Sequence, residues 1–322
     1  MRRYSVLVPA ILALLAVTAT ACGSDGGSGQ ASAPTTAAAA PTTVPPTTTP
    51  PKETCPVAPI PVVVSVDQWG DIVEQLGGSC TEVTTIIQGS SADPHDYEPT
   101  AADTAKFSDA KLVVVNGADY DHWAGDTVKT LSPRPAVVDA GEVVGVKEGD
   151  NPHIWYGPDY VTKVSQAVTT ELSALEPTAA TYFANRATEW NTALEPYFAE
   201  IASIKATAAG QTFGSTESVF DYMGAAVGLV NATPQGYQNT AGNHSDPAPG
   251  DVAQFQQALR DKSMAVLIFN TQTEGSIPEQ IRDVATESSV PVVDVTETVP
   301  PGVDSFVAWQ LAQLNALRAA LA

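Results

Sequence analysis

From about residue 60 onward, short apolar runs rich in β-branched residues alternate with longer stretches of helical period. Buried parallel strands form continuous apolar runs of this kind, and the helices that connect them produce the alternation. The pattern predicts strands at 61–66, 82–87, 111–115 and 136–139, and then at 211–215, near 229, at 265–269 and at 291–295. This number of strands fits two α/β lobes better than one large sheet.

Between the two sets of strands, residues 177–206 have the pattern of one long amphipathic helix. Its apolar side chains recur at spacings of three, four and seven: Tyr182, Phe183, Trp190, Leu194, Phe198 and Ile201. Pro177 suits the first turn of this helix, and Pro196 predicts a bend in it. The predicted fold class is therefore α/β, with two lobes at 55–176 and 207–322. Each lobe is a mainly parallel sheet flanked by helices, and the long helix joins them.

The chain begins with the features of a signal peptide, predicted at 1–21. Two arginines are followed by an apolar run at 6–17 that is too short to span a membrane, and then by small residues. Cys22 comes next, in the position of the lipidated cysteine of exported bacterial lipoproteins. Because Ala19 stands where leucine is usual, plain secretion with Cys22 removed or unmodified is the alternative.

Residues 22–54 consist mainly of Thr, Pro, Ala, Gly and Ser, with almost no large apolar side chain. Such a segment cannot bury enough surface to offset the entropy of ordering, so it is predicted to be a disordered tether. With a lipid on Cys22, the tether would hold the lobes at the outer face of the cytoplasmic membrane.

Two further cysteines, Cys55 and Cys80, follow the tether. Thiols of exported proteins tend to be oxidised, so a disulfide between them is expected to join the start of the fold to the end of its first helix. A pair of cysteine ligands for a metal is the alternative. It is disfavoured because neither a CxxC motif nor a nearby histidine accompanies them.

The chain carries 36 acidic and 15 basic residues, a formal net charge of −21. A protein this acidic repels nucleic acid and anionic lipid headgroups and attracts cations in a general way. Simple solubility of an exported protein explains the charge equally well. Because of the negative charge, we expect no nucleic-acid partner. We also expect a monomer.

Four candidate metal ligands follow predicted strands. His95 lies after the second strand and His153 after the fourth, and each directly follows a proline that stiffens its loop. Glu217 and Asp304 follow strands of the second half. Because ligands bind outside the carboxyl ends of parallel strands, these side chains can converge between the lobes.

The stretches 93–100, 151–158, 216–222 and 304–306 resemble the metal-binding lipoproteins that supply zinc or manganese to ABC importers. The resemblance implies two α/β lobes joined by a long helix, with one divalent metal ion as cargo between them. It also implies the metal ligands His95, His153, Glu217 and Asp304, and a membrane permease as partner. A protein of this kind captures metal outside the cytoplasm and is not an enzyme.

Some alternatives remain for these residues. Glu217 and Asp304 each lie at a predicted helix start, where a carboxylate can cap the helix instead of binding metal. Glu297 is the reserve candidate for the fourth ligand. His122 and His244 are expected to be surface or packing residues. Two imidazoles and two carboxylates would neutralise a divalent ion, so such a set can be buried.

The identity of the metal stays open. No long His-rich acidic loop is present, and Glu217 stands where some relatives have a third histidine, which favours manganese or another metal that accepts oxygen ligands. Zinc nevertheless binds most nitrogen and oxygen sites more tightly than manganese. Two other functions are alternatives: a surface adhesin or structural lipoprotein with a stabilising metal, and a metal-dependent hydrolase. The hydrolase is disfavoured because the sequence has neither an HExxH nor a GxSxG motif.

Overall fold

The computed structural model describes residues 54–89, 94–95, 97–241, 245–273 and 275–322. The predicted signal peptide, Cys22, His244 and almost all of the predicted tether lie outside these residues. Among the described residues, none of the helices combines the length and the apolar character needed to cross a membrane.

The first lobe is built on a parallel sheet with the strand order β2-β1-β3-β4. The strands are β1 (Ile60–Val66), β2 (Thr81–Ile87), β3 (Leu112–Val115) and β4 (Ala136–Asp139). The helices are α1 (Asp67–Gly77), α2 (Ala101–Asp109), α3 (His122–Thr130), α4 (Ala140–Val144) and α5 (Pro158–Leu175). Since all four strands are parallel, the loops that follow them lie at one edge of the sheet.

The second lobe repeats this arrangement with the strand order β6-β5-β7-β8, again all parallel. The strands are β5 (Thr212–Ser215), β6 (Val230–Asn231), β7 (Val266–Asn270) and β8 (Val292–Val295). The helices are α8 (Asp221–Ala226), α9 (Gln235–Ala241), α10 (Pro249–Arg260), α11 (Ser276–Glu287) and α12 (Phe306–Ala320). The predicted fold class, two parallel α/β lobes joined by helical structure, is confirmed.

The connection between the lobes consists of two helices rather than one bent helix. They are α6 (Ala180–Ala193) and α7 (Glu195–Ala208), and only Leu194 lies between them. Pro196 occupies the first turn of α7, where its missing N–H is not needed and its ring does not break a helix interior. The break between α6 and α7 therefore falls at Leu194, two residues before Pro196, where the hydrogen bonds from Leu194 N–H to Trp190 and from Phe198 N–H to Leu194 persist.

The larger of two apolar clusters among the described residues runs through both lobes and the connecting helices. It includes Val64 of β1, Trp190 of α6, Phe213 of β5 and Trp309 of α12, all nearly inaccessible to solvent. A shared core resists independent movement of the two sheets, because any separation would expose apolar surface. The lobes therefore hold the loops at their facing edges in a defined relation.

The two cysteines of the predicted pair form a disulfide in the structure. Cys55 is bonded to Cys80, with their Cα atoms 5.0 Å apart, and Cys80 ends the short turn that follows α1. Closing a loop of 25 residues stabilises the fold by roughly 3 kcal/mol in the chain-entropy view.

Candidate metal centre

Three ligand-type side chains meet where the two lobes face each other: His95, His153 and Glu297. Their ligand atoms all lie within 4.8 Å of one another. His95 comes from the segment after β2, His153 from the segment after α4, and Glu297 from the second position after β8. The first lobe thus supplies two imidazoles and the second lobe a carboxylate.

The spacing of these atoms fits a bound metal ion. Glu297 Oε1 lies 3.9 Å from His95 Nε2 and 3.7 Å from His153 Nε2. Two atoms bound to one ion at roughly 2.0–2.2 Å lie about 3.0–3.6 Å apart, so a small contraction would suffice. His153 Nε2 and Glu297 Oε1 are buried and accept or donate no hydrogen bond among the described residues. Buried polar atoms in this state are expected to face an ion or water.

Asn151 fixes the imidazole of His153 in the orientation that a ligand needs. Its Oδ1 accepts hydrogen bonds from the backbone N–H of His153, at 3.0 Å, and from Nδ1 of the ring, at 2.7 Å. Its Nδ2 donates to the carbonyl of Ser218 at 2.7 Å. This contact identifies Oδ1 as the end of the amide that accepts from His153. With the proton held on Nδ1, the lone pair of a neutral His153 lies on Nε2 and points to Glu297.

Electrostatics keep Glu297 ionised. Burial alone would raise its pKa, but the interactions with His153, the Tyr120 hydroxyl and His95 outweigh burial and lower the pKa below its usual range. The ring of Tyr120 is fully buried and packs edge-on against His95, with the ring centres 4.6 Å apart. The site therefore presents one carboxylate charge and oriented imidazoles at neutral pH.

Glu217 lies beside this cluster but is not part of it. It is buried, and its Oε2 accepts hydrogen bonds from Asn270 Nδ2 at 2.6 Å and from Thr273 Oγ1 at 2.5 Å. Its side chain makes no capping hydrogen bond to the helical turn that follows, so helix capping does not explain it. Glu217 and Glu297 both line one cavity of about 510 Å³, which also includes Asp246. The two carboxylates can therefore reach a common space.

The structure does not bring Asp304, a predicted ligand, together with the two histidines. Asp304 is exposed at the start of α12 and does not belong to the cluster. The hydroxyl of the next residue, Ser305, caps α12 by accepting from the Ala308 N–H at 3.2 Å. The reserve candidate Glu297 takes the place at the site, because it follows β8 almost at once, whereas Asp304 lies nine residues beyond the strand.

His122 is exposed at the start of α3, with its Nδ1 3.9 Å from Asp119 Oδ1. The prediction of a surface residue is confirmed for His122.

Sequence reasoning missed the residues that orient the ligands. Asn151 and Asn270 carried a usable signal, since Asn151 is two residues before His153 and Asn270 ends a strand.

A family model described as zinc-uptake complex component A, periplasmic (ZnuA), matches residues 62–320. Two curated relatives are similar over most of this chain. The zinc-binding lipoprotein AdcA of Streptococcus pneumoniae is 21% identical over 77% of this chain and 53% of its own length. The manganese-binding lipoprotein MntA of Halalkalibacterium halodurans is 23% identical over 76% of this chain and 80% of its own length. The match thus spans about half of AdcA.

The fold is also similar to that of a solved structure, the solute-binding protein FpvC from Pseudomonas aeruginosa in complex with Mn²⁺. The similarity has a TM-score of 0.68 at 18% sequence identity and covers 82% of this chain and 98% of that one. At this level of identity the comparison supports the arrangement of two lobes.

Proposed function

The chain belongs to the family of periplasmic zinc-uptake complex component A proteins, and from this premise we propose that it captures one divalent metal ion outside the cytoplasm and delivers it to an ABC permease. The family resemblance predicted from the motifs is thereby confirmed. The observation that carries the proposal is the convergence of His95, His153 and Glu297 between the lobes. The ion is the cargo of the protein.

The donor set suits zinc or manganese. Two imidazole nitrogens and carboxylate oxygens bind both ions, whereas a soft metal would favour sulfur ligands. We propose Glu217 as the fourth ligand, reached through the cavity that it shares with Glu297. Two carboxylates and two neutral imidazoles would then balance the charge of the ion, which permits its burial.

The proposed mechanism of capture rests on preorganisation. The hydrogen bonds of Asn151 hold His153, and the low pKa of Glu297 keeps its carboxylate charged. A site whose ligands are already oriented loses less entropy on binding and discriminates better between ions. Each donor replaces one water molecule of the incoming ion.

The function is tested by metal content and by uptake. The purified protein, dialysed against a low concentration of zinc or manganese, should retain close to one equivalent per chain by elemental analysis. Cells that lack the gene should accumulate less of the physiological metal from a metal-poor medium. Retention of metal together with unchanged accumulation would instead favour the adhesin or structural alternative.

The hydrolase alternative needs a separate comparison, because two histidines and a glutamate with an open position also occur in catalytic zinc sites. Membership of a metal-uptake family, rather than the donor set, favours transport over hydrolysis. Turnover of ester, peptide or phosphate substrates by the zinc-loaded protein, lost in His95→Ala, would reverse this choice.

Glu217→His should raise the ratio of zinc affinity to manganese affinity, roughly tenfold. The exchange replaces a hard carboxylate oxygen by an imidazole nitrogen, which favours zinc more strongly. Competition titration of the metal-free protein with both ions measures the ratio. Asp246→His is the matched control, because it adds a histidine to the same cavity at an exposed position. An unchanged ratio in Glu217→His would mean that Glu217 does not bind the ion.

We propose that the protein acts at the outer face of the cytoplasmic membrane, held there by a lipid on Cys22 and by the tether 22–54. The relatives AdcA and MntA are both named lipoproteins, which supports this location. A tethered protein stays close to a permease in the same membrane, so that the effective concentration for delivery is high.

A further inference from the structure

The first turn of α1 contacts segments that carry proposed ligands from both lobes. Asp67 follows β1 directly, and its carboxylate accepts two backbone hydrogen bonds at different oxygens. Oδ2 accepts from Gly89 N–H at 2.6 Å, and Oδ1 accepts from Val299 N–H at 3.4 Å. Gly89 lies six residues before His95 in the first lobe, and Val299 lies two residues after Glu297 in the second. One side chain thus joins the two segments.

Gln68, the next residue, makes a second connection between the lobes. Its side chain is completely buried. Its Nε2 donates to the Tyr120 hydroxyl at 2.8 Å and to the backbone carbonyl of Glu297 at 3.0 Å. Because the Tyr120 ring packs against His95, the amide connects the surroundings of an imidazole to the backbone of the carboxylate ligand.

The second lobe holds the same backbone from the opposite side. Gln272 Oε1 accepts hydrogen bonds from the N–H groups of Glu297, at 2.6 Å, and Thr298, at 2.9 Å. The N–H of Glu297 is therefore fixed by its own lobe and its carbonyl by the other lobe. Among the described residues, Gln68 is the first-lobe side chain that binds that carbonyl, so its loss would leave the Glu297 segment freer to move away from the histidines.

We propose that Asp67 and Gln68 form an interlobe latch, a pair of positioning residues that set how fast bound metal leaves the site. The proposal rests on the proposed function. The ion leaves only when Glu297 separates from His95 and His153, and that separation must break the hydrogen bonds of the latch. Each bond that holds Glu297 beside the two histidines therefore slows release of the ion. Capture begins with Glu297 apart from the histidines, so its rate depends on these bonds much less.

Two variants test the latch through different contacts. Gln68→Met keeps the length of the side chain and removes its donors. Asp67→Asn keeps the shape but leaves one acceptor oxygen, so that one of the two backbone N–H groups loses its partner. Each should release zinc or manganese roughly tenfold faster than wild type, since one or two net hydrogen bonds are lost. Stopped-flow mixing of metal-loaded protein with excess chelator measures the rate.

Asp71→Asn is the matched control. Asp71 lies one turn further along α1 and also joins the lobes, since its Oδ2 accepts from Phe306 N–H at 2.8 Å. That contact lies beyond the ligand segments, so the release rate should remain that of wild type, even if the melting temperature of the metal-free protein falls as much as in the latch variants. The latch proposal would be overturned if both latch variants released metal at the wild-type rate. It would also be overturned if Asp71→Asn accelerated release as much as they do. Absence of bound metal in the wild type would refute the proposed function itself.

Discussion

His153→Ala is expected to weaken binding of zinc or manganese by at least about a hundredfold. Loss of a side chain that only orients a ligand typically costs ten- to a hundredfold in affinity, and loss of the ligand itself should exceed that range. His153 is almost completely buried, with an exposed side-chain fraction of 2%, so water replaces its nitrogen poorly. Competition titration of the metal-free protein with a chelator of known affinity measures the effect.

His122→Ala is the control for this variant. His122 is exposed, with a side-chain fraction of 53%, and should leave metal affinity unchanged. The melting temperature of each metal-free protein separates loss of a ligand from loss of the fold. If His153→Ala binds metal as tightly as wild type, the convergence of the three side chains does not mark the metal site.

Most of the strands could be predicted because they are short apolar runs joined by helices. In β3, Leu-Val-Val-Val is buried at all four positions, and no polar alternation obscures it. β4 was predicted with its observed bounds, Ala136–Asp139. The long helical connection was harder, because the periodicity and the backbone hydrogen bonds of Leu194 and Phe198 both continue across the break between α6 and α7. A periodic pattern reports which face is buried, and it does not report where a proline divides the helix.

The two histidines of the site could also be predicted, since each follows a proline in a segment after the strands of the first lobe. The choice between the two carboxylates after β8 could not be predicted, for a physical reason. Segment 296–305 after β8 contains both Glu297 and Asp304, and nothing in the composition shows which one turns inward. That choice is made by tertiary contacts, since Gln272 and Gln68 fix the backbone at Glu297.

Glu217 shows a different limit of sequence reasoning. Its position after β5 indicated an inward carboxylate, and the structure places it on the cavity beside Glu297. The contacts that hold it come from Asn270 and Thr273, more than 50 residues away in the chain. A sequence alone shows that a carboxylate can bind metal, whereas the hydrogen bonds that direct it become visible only in the fold.

Glu297→Gln and Asp304→Asn form an isosteric pair that tests which carboxylate after β8 binds the metal. Each replaces a carboxylate by the amide of the same shape, so differences in packing are small. Glu297→Gln should weaken metal binding about a hundredfold or more, because it removes the anionic donor that faces both imidazoles at 3.7–3.9 Å. Asp304→Asn should bind metal as wild type does, because Asp304 lies on the surface.

The same chelator competition, applied to both variants with zinc and with manganese, measures the difference. Glu297→Gln should still melt as one cooperative unit, because the backbone of residue 297 keeps its hydrogen bonds to Gln68 and Gln272. The opposite pattern, with tight binding in Glu297→Gln and weak binding in Asp304→Asn, would mean that segment 296–305 rearranges when metal binds. Asp304 would then reach the ion by displacing Glu297, and the latch contacts of Asp67 with Val299 and of Gln68 with Glu297 would have to break as metal enters.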